Sequence, residues 1–198
     1  MSRNKDTIGS RIGMWLFLLT EILLFGGLFM LYAVFRSKHA GEFHKAAEDL
    51  NRIAGTANTV VLLTSSLAMA LSIAAIRIGK KHVSVLFQML TVLLGCIFLA
   101  VKYFEWSAKI GHGIYPNSPA LLKLANGEVL FYGLYFVMTG LHGLHVVIGL
   151  GVLCFMLYST IKEKINSNDF VRLENSGLYW HFVDTIWVYL FPLFYLIT

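Results

Sequence analysis

The chain has 198 residues, of which 57% are hydrophobic and 14% charged, where a soluble domain carries roughly 25% charged residues. A soluble domain of this size has too little interior to hide that much apolar surface. The composition therefore excludes a disordered chain, a disulfide scaffold and an ordinary cytosolic enzyme, and points to a polytopic membrane protein.

The net charge of +5 comes from 16 Lys and Arg against 11 Asp and Glu. These basic residues are scattered over loops and form no run, so they read as topology charges at membrane surfaces. No nucleic-acid partner is expected. Cys96 and Cys154 both sit in apolar runs, which leaves no disulfide framework and no Cys-x-x-Cys metal knuckle.

In chain order, ten polar residues precede the first apolar stretch, which covers approximately 12–35. That stretch is too long for a signal-peptide core and carries Glu21, so it reads as a retained transmembrane helix. Further spans follow at approximately 56–77, 83–107, 128–160 and 173–197. Each is long enough to cross a hydrocarbon core of about 30 Å at about 1.5 Å per residue. The fourth is over-long and should tilt or project into water. Pro192 lies near the end of the fifth, where it is placed to kink it. The loops 36–55 and 108–127 have room for a turn or a surface helix, not for a soluble domain. The expectation is one all-α membrane domain over 1–198, with five transmembrane helices. Arg3, Lys5, Arg11, Arg77, Lys80, Lys81, Lys162, Lys164 and Arg172 fall on one side, and Arg36, Lys38, Lys45, Arg52, Lys109 and Lys123 on the other. This bias favours an inside N-terminus and an outside C-terminus.

Ionisable groups in hydrocarbon cost about 2.5–3.5 kcal/mol each on insertion. Those kept there are the most informative residues. Glu21 lies near mid-bilayer in WLFLLTEILLFGGLF, where desolvation disfavours the ionised form. It reads equally as a functional group, in a proton path or anchoring a partner helix, and as a neutral carboxylic acid hydrogen-bonded to a neighbouring helix. His142 and His145 share a face of the fourth helix in GLHGLHVVIG, and His181 and Asp184 repeat that spacing on the fifth in YWHFVDTIW. A haem or metal site could be drawn from His142, His145, His181 and Glu21. The preferred reading is that the histidines bond neighbouring helices, carbonyls or lipid headgroups, with Asp184 orienting His181. Lys102 and Glu105, near the outer end of the third helix, are spaced for an ion pair, read as solvated and interfacial. Glu128 and Glu174 open helices and suit the helix dipole. The glycines and the Asn58–Ser72 polar run read as helix-packing features. Trp15, Trp106, Trp180 and Trp187 read as interfacial belts or lipid-binding surfaces.

Taken together, GMWLFLLTEILLFGGLF, ANTVVLLTSS, Lys102-Tyr-Phe-Glu105, FVMTGLHGLHVVIG and ENSGLYWHFVDTIWVYLFPLFYL resemble successive helices of subunit III of haem-copper oxidases. They occur in the family's order and cover nearly all the chain. The form resembled is the short, five-helix bacterial one. The resemblance implies a non-catalytic subunit III of a proton-translocating aa3-type cytochrome c oxidase, active in aerobic respiration. It would lie in the bacterial plasma (inner) membrane, and haem and copper would sit in partner subunits. It implies contact with subunit I, a complex that includes subunit II, support of proton uptake, bound phospholipid and no cofactor in this chain. A respiratory supercomplex is left open.

The resemblance also implies that Glu21 is the family's membrane-buried, carbodiimide-reactive carboxylate. His142, His145, Glu174, Trp180, His181 and Asp184 are implied to be structural or lipid-contacting. Lys102 departs from the mitochondrial pattern, which is acidic there, so any relay through Lys102 is left in doubt. Two close alternatives are subunit III of a quinol oxidase and an accessory subunit of a nitric oxide reductase. From another class comes a small proton-coupled transporter using Glu21, although the odd helix number and lack of an inverted repeat argue against it.

Overall fold

The computed structural model describes residues 2–167 and 169–197. Residues 1, 168 and 198 of the expected domain lie outside the described residues, as do the side chains of the topology charges Arg3 and Lys5. The elements are α1 (Ser2–Lys38), α2 (Ala40–Glu48), α3 (Arg52–Arg77), α4 (Lys81–Gly111), α5 (Asn126–Ile161) and α6 (Val171–Phe191). A π-helical turn, Pro192–Leu196, follows α6 directly. The protein is an all-α membrane protein, with no strand element among the described residues.

Among the described residues, four helices are long and apolar enough to cross a bilayer: α1 from Ile8, α3, α4 and α5. The fifth expected span, α6, has 21 residues and includes Arg172, Glu174, His181 and Asp184, which lower its hydropathy. It nevertheless runs beside the others over their full depth. Arg11 of α1 donates to Glu174 at one end, and the Tyr32 hydroxyl donates to the Leu193 carbonyl at 2.5 Å at the other. Twenty-one residues rise about 31 Å, enough for the hydrocarbon core. The polar content of α6 is tolerated because the helix is enclosed: Trp180, Val183, Asp184, Trp187 and Leu190 are all buried.

The bundle is apolar outside, and its largely apolar interior encloses the polar groups. In α4 the buried positions are Ser84, Gln88, Thr91, Gly95, Phe98 and Lys102, spaced alternately four and three apart on one face. Leu86, Met89, Leu90, Leu93 and Ile97 point away from the bundle. Lipid tails are as apolar as leucine, so helices associate through close packing and hydrogen bonds. Ser72 and Ser84 bond across α3 and α4 at 3.0 Å, Gln88 donates to Thr160 of α5 at 3.2 Å, and the Trp180 indole donates to Ser65 at 2.8 Å. Gly95 permits the closest approach. A Cβ there would lie 2.7 Å from Leu150 and 2.9 Å from Trp180. The α3–α4 link turns at Gly79, whose φ of +75° lies in the left-handed region.

Two features sharpen the expected picture. The loop 36–55 forms α2, a surface helix that buries Phe43, Ala46 and Ala47. It is tied to the start of α5 by Lys45 and Glu128, 2.6 Å apart, and by the Gly127 amide donating to Glu42. The Glu128 contact raises the Lys45 ammonium above its ordinary value. Pro192 changes the helix type: α6 passes into a π turn there, which carries Tyr195 into the interior.

Candidate functional site

Two clusters hold four of the ionisable groups that the sequence keeps at membrane depth, Glu21 with His145 and Lys102 with Glu105. The first joins α1 to α5. His145 Nδ1 lies 2.8 Å from the Leu141 carbonyl, and a carbonyl only accepts, so Nδ1 carries a hydrogen. His145 Nε2 is 2.9 Å from Glu21 Oε2. A hydrogen bond across that gap needs one proton, held by either the carboxyl or the imidazole. The pair is thus electrically neutral as a unit, which is how an acid is accommodated in hydrocarbon. The Phe25 ring meets His145 edge-on at 5.4 Å. Both residues line a cleft of about 420 Å³ with Met14, Phe17, Ile148 and Tyr179. Neither lysine nor arginine lines it.

The second cluster lies between α4, α5 and the π turn, toward the end that holds the C-terminus. Lys102 Nζ donates to Glu105 Oε2 at 3.1 Å, to the Tyr195 hydroxyl at 2.9 Å and to the Tyr135 hydroxyl at 3.4 Å. The two tyrosines in turn donate to Glu105 Oε1, Tyr135 at 2.6 Å. Lys102 Nζ also sits 4.8 Å from the centre of the Trp187 ring, a favourable seat for a cation. The side chains of Lys102 and Glu105 are only 11% and 8% exposed. The pair is therefore buried, which corrects its reading as solvated and interfacial. Glu105 borders a cavity of about 530 Å³ shared with Asp49, Asn51, Lys109 and His112.

The remaining site residues lie apart from these clusters. His142 is buried between the rings of Phe98 and Trp187, and neither ring nitrogen has a partner among the described residues. His181 Nδ1 is 2.5 Å from the Ser66 hydroxyl of α3. The expectation that Asp184 orients His181 is corrected by this contact, because both Asp184 oxygens are buried without a hydrogen bond among the described residues. Trp180 is fully buried on Ser65, not interfacial. Trp187 likewise donates inward, to Thr59 at 3.0 Å. Glu174, at the start of α6, pairs with Arg11 and Arg77. The four residues of the drawn metal set are not gathered. Among the described residues, no three His, Cys, Asp or Glu side chains are grouped to hold an ion.

Sequence reasoning missed Tyr135 and Tyr195, and gave Ser66 only a helix-packing role within the Asn58–Ser72 polar run. Alternating spans make α3, α5 and α6 neighbours, and that topology was the available signal. It gives proximity of the elements, but not the rotation that turns Tyr195 onto Lys102.

Such an arrangement defines an integral membrane protein built around enclosed, internally paired ionisable groups. The sequence matches the family described as cytochrome c oxidase subunit III over residues 3–198. The chain belongs to that family, subunit III of the haem-copper oxidases. It is 28% identical to the probable quinol oxidase subunit 3 of Staphylococcus haemolyticus, over 100% of this chain and 97% of the relative. It is 29% identical to the cytochrome c oxidase subunit 3 of Thermostichus vulcanus, over 94% and 87%. It is 28% identical to the haem-copper oxidase subunit I+III of Aeropyrum pernix, over 98% of this chain and 23% of that longer one. Membership makes the chain part of a respiratory oxidase complex with other subunits.

Proposed function

We propose that this chain is the non-catalytic subunit III of a proton-translocating, aa3-type cytochrome c oxidase in a bacterial inner membrane. In this reading it packs on subunit I, with subunit II in the same complex, and haem and copper reside in those partners. The N-terminus lies inside. The observation that carries the reading is the Glu21–His145 pair at the apolar cleft. A one-proton acid–imidazole pair, walled by apolar side chains and open toward lipid, suits a subunit that supports proton uptake and holds phospholipid tails. The Aeropyrum pernix relative, whose name joins subunits I and III, supports subunit I as the direct partner.

The second reading is subunit III of a quinol oxidase, favoured by the full-length similarity to the Staphylococcus haemolyticus protein. The purified complex separates the two. Oxygen consumption with reduced cytochrome c, and little with a short-chain quinol, is the expected result. The opposite preference assigns the chain to a quinol oxidase.

A further inference from the structure

The cavity beside Glu105 is lined by a cation that the Lys102 cluster does not engage. Lys109 belongs to its wall, and the residue is only 8% exposed. An ammonium carries three N–H donors and no acceptor. Among the described residues, Lys109 Nζ makes one hydrogen bond, to the Asp49 carbonyl at 3.3 Å, and no ion pair. Its other contact is the face of the Tyr132 ring, 5.4 Å from the centroid. Two donors of a buried cation are thus left for whatever fills the cavity, and leaving them unmatched is costly.

The same wall holds an acid with a free oxygen. Both oxygens of Glu105 are engaged, by Lys102, Tyr135 and Tyr195. Asp49 Oδ2 accepts from the Tyr132 hydroxyl at 3.1 Å, and Oδ1 has no hydrogen bond among the described residues. Tyr132 therefore steadies both poles, the carboxylate with its hydroxyl and the ammonium with its ring. Asn51 spends its carbonyl oxygen on capping α3 at Ala54, so its side-chain NH2 remains a donor. These groups stand at the end of α4, just past its apolar stretch, where headgroups lie. Below them Val101 and Phe104 continue the wall, and Phe104 is 70% exposed toward the lipid side.

A bare anion here would meet the Asp49 carboxylate, and a bare cation would meet Lys109. A ligand carrying both charges satisfies both. Lysine is a common partner of phosphate. A primary ammonium can donate to Asp49 Oδ1, whereas a quaternary one cannot donate and is held by aromatic cages. The wall offers one phenyl ring, Phe104, and no cage. We propose that this cavity binds a phosphate ester bearing a primary ammonium group, with the phosphate on Lys109 and Asn51 and the ammonium on Asp49. Two molecules carry that chemistry: an ethanolamine phospholipid and free phosphoethanolamine. The site is separate from the Glu21 cleft, which has neither lysine nor arginine in its lining and so nothing to hold a phosphate.

The test is native mass spectrometry of the protein purified in mild detergent, with whatever subunits accompany it, after exchange into an equimolar mixture of ethanolamine, choline and glycerol phospholipids of identical chains. It reads out independently of the oxidase assignment. Wild type is expected to retain the ethanolamine lipid over the other two by about tenfold, the worth of one charge-assisted hydrogen bond. Lys109→Met removes the retained ethanolamine lipid. Asp49→Asn abolishes the preference for ethanolamine over glycerol while lipid is still retained. Adding soluble phosphoethanolamine separates the two sources: displacement of the lipid at millimolar concentration makes the headgroup alone sufficient, and no displacement makes the lipid the ligand. Equal retention of the three lipids by wild type overturns the proposal. So does a Lys109→Met variant that retains the ethanolamine lipid unchanged. Should Lys109→Met fold poorly, Asp49→Asn, at an exposed residue, decides by the same ratio, and an unchanged ratio overturns the proposal.

Discussion

The Lys102–Glu105 cluster and Asp184 both bury charge-bearing side chains, and they do so in opposite ways. Around Lys102 and Glu105 the donors and acceptors are matched: one cation, one carboxylate, two tyrosine hydroxyls and an indole face. Asp184 is buried, and neither of its oxygens has a hydrogen-bond partner among the described residues. The first arrangement compensates two charges and fixes the junction of α4, α5 and the π turn. The second leaves a carboxyl buried without a hydrogen-bond partner, a placement that costs free energy unless the group is neutral. Glu21–His145 lies between them, a pair that is neutral through one shared proton. A carboxylate at membrane depth is thus not one kind of feature. Its neighbours decide whether it is compensated or left without a partner.

The largest effect is expected where the compensated cluster is broken. Lys102→Met leaves Glu105 buried with only tyrosine donors, and removing one member of a buried pair typically costs about 3–5 kcal/mol. Thermal unfolding of the purified protein should show a marked drop, and adding Glu105→Gln should recover most of it. A Lys102→Met variant as stable as wild type would remove the contrast between the clusters.

Gly95→Ala is next. Its Cβ would crowd Leu150 and Trp180, and overpacking of this kind costs about 1–3 kcal/mol. Detergent denaturation curves report it. Ser65→Ala strands the Trp180 indole N–H, at about 1–3 kcal/mol for an unpaired buried donor, visible also as altered tryptophan fluorescence.

Glu21→Gln should be milder, since glutamine still bonds His145. The variant is expected to assemble and to lose carbodiimide labelling at that position. Persistent labelling there would contradict Glu21 as the reactive carboxyl at the cleft. The smallest effect belongs to the surface. Lys81 bonds Glu163 at 2.9 Å and holds its carboxyl below the ordinary range. A depressed folded value contributes stability above the unfolded carboxyl range, and that contribution fades as pH falls through the folded value. Lys81→Met should lower the neutral plateau of the stability–pH curve slightly and flatten the acid limb, with little change below the folded value.

Much of the fold was legible because span length and apolarity are direct readouts of bilayer thickness. The ends were less so. Apolarity marks where lipid begins, whereas the α-helical hydrogen bonds of α1 continue from Ser2 to Lys38, well past the apolar stretch. The surface helix α2 has only nine residues and mixed composition, so its loop showed room for it without its pattern.

The candidate site divides the same way. Residue types at depth singled out Glu21, His145 and Lys102 without help from structure. What surrounds them was not legible, because partners come from other helices at sequence separations such as 124 for Glu21–His145 and 93 for Lys102–Tyr195. Helix rotation decides those contacts, and in a chain apolar on most faces the periodic pattern is too weak to fix rotation. Lys102 and Glu105 illustrate the cost. Three residues apart near a helix end, they look solvated until the π turn folds Tyr195 over them.

The central claim is that this chain serves as subunit III of an aa3-type cytochrome c oxidase. The most direct measurement is a subunit and cofactor inventory of the complex purified in mild detergent through a tag on this chain. The account predicts co-purification of two further subunits, one carrying haem a and the haem–copper centre and one carrying copper, with an a-type haem spectrum. Recovery of this chain alone, without haem or copper from intact membranes, would contradict it.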